Sequence, residues 1–131
     1  MKTTFQLVGR LSLREIYMNV IMGKKKSYSK ESDKVKVEQE LKETSPIVVR
    51  FHKQGCPACQ MSQPAWDKFS RGMEPTMYRI VEIEADAIPQ NILNRISAYP
   101  TYAKDDNKGP SHSVGAILDS DQIHNKLKIK K

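Results

Sequence analysis

A short apolar run, Ile47-Val48-Val49-Arg50-Phe51, is followed after four residues by Cys56-Pro57-Ala58-Cys59, and no other cysteine occurs among the 131 residues. The run has the length and β-branched content of a buried strand, and the residues beyond the cysteines have helical spacing. Two cysteines three apart at such a junction lie on successive positions of one helical turn, where a disulfide can close and reopen. This constrains the chain more than any other feature. It calls for a strand-to-helix turn with a sulfur at its tip, and it points to thiol–disulfide exchange.

The position also favours the chemistry. Cys56 is expected at or just before the first helical turn, where unpaired backbone N–H groups and the helix dipole favour negative charge. A free thiol with a pKa of about 8.5 supplies little thiolate at neutral pH, and a helix N-terminus supplies more. His52 and Lys53 are expected to add positive charge nearby. Pro57 suits the first helical position, where its missing N–H has no partner to lose. Cys59 then faces back under Cys56. An inert, purely structural cysteine pair is the plainer alternative. Zinc fits less well, because two cysteines and three scattered histidines (His52, His112 and His124) contain no second ligand pair.

Beyond the cysteines, Pro64 falls five residues after Cys59, Tyr99-Pro100-Thr101 forms a proline loop, Val114-Gly115-Ala116 is a glycine-containing stretch, and Ser120–Lys128 has helical character. In this order and spacing the landmarks resemble the thioredoxin superfamily over about residues 45–129. The resemblance implies an α/β thioredoxin-like fold, a central mixed sheet flanked by helices. It implies that Cys56 is the catalytic nucleophile and Cys59 the resolving thiol. Pro100, expected as a cis-proline, and Tyr99 would shape the groove for a protein disulfide or dithiol substrate. It implies no metal and no organic cofactor. Three positions depart from the family pattern. Gly55 stands where a tryptophan is usual, Pro-Ala separates the cysteines, and Arg50 replaces a buried aspartate. A guanidinium there favours thiolate, and it cannot serve as a base.

Charge divides the chain. The net charge of +7 is concentrated in residues 1–30, where seven Lys/Arg stand against Glu15 alone, leaving +1 for the rest. Such an arm suits an anionic protein surface or nucleic acid, with a solvated tail as the plainer alternative. No nucleic-acid module is recognisable, and no nucleic-acid partner is expected. No apolar run is long enough to cross a membrane. Arg10 and Arg14 interrupt Phe5–Ile21, so a secretory signal is not expected. The expected setting is cytoplasmic, with a nuclear setting or a mitochondrial presequence as alternatives. The organisation reads as residues 1–44, a basic N-terminal extension and first helix, followed by a thioredoxin-like domain over 45–131.

Within the arm, Phe5, Leu7, Gly9, Leu11 and Leu13 alternate like a strand, while Ile16, Tyr17, Val20 and Ile21 have helical spacing. Gly23 and the Lys24–Lys30 cluster read as a linker. A helix capped by Ser32 or Asp33 should run to about Glu43 with Val37 and Leu41 inward. Met61, Ala65, Phe69 and Met73, with Trp66 beside them, read as a core stripe. Tyr78–Ala85 reads as a second core strand, Ile88–Ile96 as a short helix, and Asp105–Pro110 as a hairpin turn. Asp119 or Ser120 should cap a last helix with Ile123 and Leu127 inward, leaving His112 and His124 at the surface.

Two functions follow. The first is a thiol–disulfide oxidoreductase in which Cys56 attacks and Cys59 resolves. The second is an interaction protein that retains the fold and is held in a large assembly through residues 1–30. In overall character that reading resembles thioredoxin-like minor capsid components of large DNA viruses and would place the chain in a virion.

Overall fold

In the computed structural model, residues 25–73 and 77–130 are described. The strand-like stretch Phe5–Leu13, the helical spacing of Ile16–Ile21 and the proposed assembly contact of the arm lie outside these residues. The described elements, in chain order, are β1 Lys26–Tyr28, α1 Lys34–Lys42, β2 Ile47–His52, α2 Pro57–Gly72, β3 Arg79–Glu84, α3 Gln90–Leu93, β4 Thr101–Asp106, β5 Gly109–Val114 and α4 Ser120–Leu127. Single 3-10 turns precede α1 (Glu31–Asp33) and follow β3 (Ala85–Ala87).

The strands form one mixed sheet in the order β1-β3-β2-β4-β5. β1, β3 and β2 run parallel, joined by α1 and α2 as crossovers, whereas β4 pairs antiparallel to β2, and β5 pairs antiparallel to β4. β2 is therefore central and covered on both faces, which is why Ile47–Phe51 reads as an apolar run interrupted by Arg50 rather than an alternation.

Each face holds its own core. Val48, Ile80 and Tyr102 pack under α2 and α4 with Trp66, Phe69, Ile123 and Leu127. The opposite face packs Ile47, Val49, Phe51, Val81 and Ile83 against Val37 of α1 and the Ala87–Ile88 turn. Trp66 stacks on Phe69 at 5.6 Å between ring centroids and lies 6.1 Å from Tyr102. Because side chains alternate along β2, Arg50 shares the face of Val48 and points towards α2.

Several elements differ from the sequence reading. Part of the expected linker, Lys26–Tyr28, is an edge strand bound to Val81–Ile83. Backbone pairing and Glu40 recruit it: that buried carboxylate accepts from Lys26 Nζ at 3.1 Å and Tyr28 Oη at 3.2 Å, and also pairs with Arg79. Asp33 makes no side-chain cap to α1; its carboxylate instead accepts from the amides of Ser29 and Lys30. The Ile88–Ile96 helix shrinks to Gln90–Leu93. The hairpin turn shrinks to Asn107 and Lys108, with Asp105, Asp106, Gly109 and Pro110 taken into the strands. Gly115 lies one residue beyond β5. Met61 leaves the core stripe and is 65 % exposed. His124 is half-buried, edge-on to Phe69 at 4.9 Å and hydrogen-bonded through Nδ1 with the Ile129 carbonyl. The expected cap of the last helix is present: the Asp119 carboxylate accepts from the Asp121 amide. No helix of the described residues is long and apolar enough to cross a membrane.

Candidate functional site

The two cysteines occupy the turn from β2 into α2. Gly55 adopts φ +74°, which an L side chain rarely tolerates, and this lets the chain reverse into the helix. Gln54 N–H donates to Glu84 Oε2 at 3.2 Å, fastening the turn to the end of β3. Cys56 is the N-cap of α2 with extended backbone, and Pro57 opens the helix. Its sulfur accepts from the Cys59 amide at 3.1 Å, the place a Ser or Asp side chain takes in an ordinary N-cap. The Cys56 thiol also lies 3.6 Å from the Tyr99 carbonyl oxygen.

Both cysteines are free thiols, Cys56 half-buried and Cys59 buried. Burial, followed by the hydrogen bond with Cys56, pushes the Cys59 thiol up to about 11; a Lys53 backbone hydrogen bond and the charge of Arg50 pull the other way without prevailing. At neutral pH Cys59 is therefore protonated. The pair is unequal: one sulfur is reachable at a helix N-terminus, and the other is held in reserve beneath it.

Tyr99–Pro100 is a cis peptide bond, as the proline loop implied. Pro100 is buried, and its carbonyl accepts from Gly115 N–H at 2.8 Å, which ties the loop to the end of β5. Thr101 Oγ1 donates to the Ala98 carbonyl at 2.7 Å. The Tyr99 ring is half-buried, with Lys53 Nζ 6.0 Å from its centroid. The loop thus offers its backbone, more than the proline ring, to the space beside Cys56.

Arg50 is the residue beneath the pair. It is fully buried on the α2 face of β2. Its Nη2 donates to the Cys59 carbonyl at 2.7 Å and to Ser62 Oγ at 3.0 Å, and its Nη1 donates to Gln63 Oε1 and Glu82 Oε2, both at 2.9 Å. The Tyr102 ring lies 5.9 Å from its Cζ. Gln63 Nε2 donates to Glu82 and to Asp67, and Lys25 Nζ bridges the same two carboxylates at 3.2 and 3.3 Å. His52, expected to support the Cys56 thiolate by charge, instead faces Glu82 at 3.8 Å. Burial holds it below its usual value, against the pull of Glu82.

Sequence reasoning found Cys56, Cys59, Tyr99, Pro100 and Arg50, and the structure brings them together. It missed Glu82, Gln63, Ser62 and Lys25. One signal was available: Glu82 sits at an inward position of the core strand Tyr78–Ala85, and a carboxylate there needs a cation on a neighbouring strand.

A five-stranded mixed sheet with a C-x-x-C helix N-terminus and a facing cis-proline loop defines the thioredoxin-fold class of thiol proteins. The family model described as Thioredoxin matches residues 27–129, and the chain belongs to the thioredoxin family. Among solved structures, the chain is similar to thioredoxin (Mala s 13) of Malassezia sympodialis, with 20 % identity and a TM-score of 0.59 over 76 % of this chain and 85 % of that one. It is similar to Schistosoma mansoni thioredoxin, with 19 % identity and a TM-score of 0.58 over 82 % and 95 %. It is also similar to the oxidized form of mitochondrial thioredoxin 3 from Saccharomyces cerevisiae, with 19 % identity and a TM-score of 0.56 over 72 % and 87 %. Comparison with curated proteins by sequence gives no match.

Proposed function

We propose that this chain is a thiol–disulfide oxidoreductase acting on protein disulfides. The observation that carries the reading is the inequality of the two sulfurs. Cys56 caps α2 and accepts from the Cys59 amide beside the cis-proline loop, while Cys59 lies buried three residues on with its proton retained. Cys56 thiolate attacks one sulfur of a substrate disulfide. The S–S bond breaks, the first substrate thiolate leaves and takes a proton, and a mixed disulfide remains. Cys59 then gives up its proton and attacks the Cys56 sulfur, releasing the second substrate thiol. Two electrons have passed to the substrate, and the Cys56–Cys59 pair is a disulfide.

In this reading the backbone beside Pro100 pairs with an extended substrate segment, as a short strand added next to the sulfur. The second step is the harder one, because Cys59 is buried and Arg50 cannot accept its proton.

The test is reduction of insulin disulfides with dithiothreitol as electron source. The expected result is activity in the native chain, background activity in Cys56→Ser, and a trapped covalent substrate adduct in Cys59→Ser. Full activity in Cys56→Ser would exclude the reading.

A further inference from the structure

Resting on the redox reading above, we propose that Arg50 is the positioning residue of the resolving step: its guanidinium, locked between the Cys59 carbonyl and the Glu82 carboxylate, favours the charged form of the buried Cys59 sulfur, and Glu82 limits that effect as its counter-charge.

The geometry is specific. Arg50 is the one cation among the described residues shown hydrogen-bonded to Cys59, through the carbonyl at 2.7 Å, and both residues are buried. A charge acts more strongly there than in water, because the effective dielectric is low. The guanidinium has little freedom to turn away. Ser62 and Gln63 hold it from α2, Glu82 from β3, and the Tyr102 ring from β4.

Other titratable groups lie around the pair. Lys25, just ahead of β1, pairs with Asp67 of α2 and with Glu82 itself. Burial disfavours the charged form of His52 on β2. Cys56 at the helix start raises Cys59, and the Lys53 backbone lowers it. The Arg50–Glu82 pair remains as the adjustable element, and its two members should act on Cys59 with opposite sign.

In the resolving step the Cys59 S–H proton goes to solvent, a Cys59–Cys56 bond forms and the Cys56–substrate bond breaks. The rate follows the thiolate fraction at Cys59, partly offset because a more basic thiolate is a better nucleophile. Resolution should change about threefold for each pH unit by which Cys59 ionisation moves.

The experiment titrates Cys59 in the full chain with Cys56→Ser, by thiolate absorbance and by iodoacetamide reactivity against pH. It needs no substrate, so it separates this inference from the oxidoreductase reading. Arg50→Met with Glu82→Met replaces the pair by apolar side chains, an exchange that buried ion pairs commonly tolerate. It should move the Cys59 titration up. Glu82→Gln should move it down, and Arg50→Lys should stay near the parent.

In the chain that keeps Cys56, the neutral pair should resolve a thionitrobenzoate adduct more slowly at pH 7. A merely structural role would predict losses of stability without opposed shifts. If folded variants, judged by cooperative melting, leave Cys59 unmoved or all move it the same way, the inference is overturned. If Glu82→Gln does not fold, the neutral pair alone decides: an unmoved or lowered titration overturns the inference.

Discussion

Arg50 and Glu82 are register partners across β2 and β3, and their side chains meet at 2.9 Å on the face of the sheet covered by the cysteine helix. A buried ion pair at this point joins the two central strands to the first turn of α2, since the same guanidinium also holds the Cys59 carbonyl. The desolvation cost of such a pair offsets much of its Coulombic gain, so its removal as a unit and the removal of one member have different consequences.

Arg50→Ala should cost about 3 kcal/mol or more, because it leaves Glu82 buried with only Lys25 as a cationic partner and deprives Cys59 and Ser62 of a donor. Lys25→Ala removes a partly exposed partner and should cost less than about 1 kcal/mol. Urea unfolding at neutral pH checks both; equal losses would show that the buried pair has no special weight.

Alkylation should distinguish the sulfurs. With Cys59 buried and pushed up to about 11, iodoacetamide at pH 8 should label Cys56 in strong preference, and labelling of Cys59 should appear only as the pH approaches its own range. Peptide mapping by mass spectrometry reads the ratio. Equal labelling at pH 8 would contradict the arrangement described.

Acid stability should depend on Asp106. Burial would raise this carboxyl, but hydrogen bonds from Lys104, Tyr78 and the Lys108 amide overcome it and hold the group down to about 2. A folded value below the unfolded one means that the contribution is present above about pH 4 and is lost as the pH falls towards 2. Tyr78 is pushed up to about 12 by burial and by Asp106, so its contribution is present below pH 10 and fades between 10 and 12. Asp106→Asn should cost about 2 kcal/mol near neutrality and flatten the acid limb of a melting-temperature profile. An unchanged acid limb would remove Asp106 from the explanation.

Met61 and Phe69 share one helical stripe in the sequence and separate in the structure. Phe69→Ala should cost about 3–5 kcal/mol, as expected for an aromatic side chain 2 % exposed beneath α4. Met61→Gln should stay within about 0.5 kcal/mol. Thermal melts of the two variants check the contrast, and a large loss in Met61→Gln would place that side chain in the core after all.

The strand Ile47–His52, the cysteine turn, the proline loop and the last helix were legible because each carries a local signal. These are an apolar run, a C-x-x-C with Pro57 at the helix start, a Tyr-Pro-Thr loop and an Asp119 cap. The edge strand Lys26–Tyr28 was not legible, since three polar residues become a strand only by pairing with Val81–Ile83 and neutralising Glu40. Met61 misled for a related reason. Spacing assigns a helix face, but the extent of the neighbouring sheet decides how far along that face the core reaches.

The sequence by itself determined the family and the cysteine pair at a helix start, because those depend on residues close together in the chain and on the backbone conformations they favour. Tertiary structure alone decided the setting of Cys59. Arg50 and Glu82 are 32 residues apart, and only the β2–β3 register places them on one face under the second cysteine. Charge acts through space and strengthens as water is excluded, so the ionisation of a buried thiol depends on neighbours that the order of the chain does not reveal.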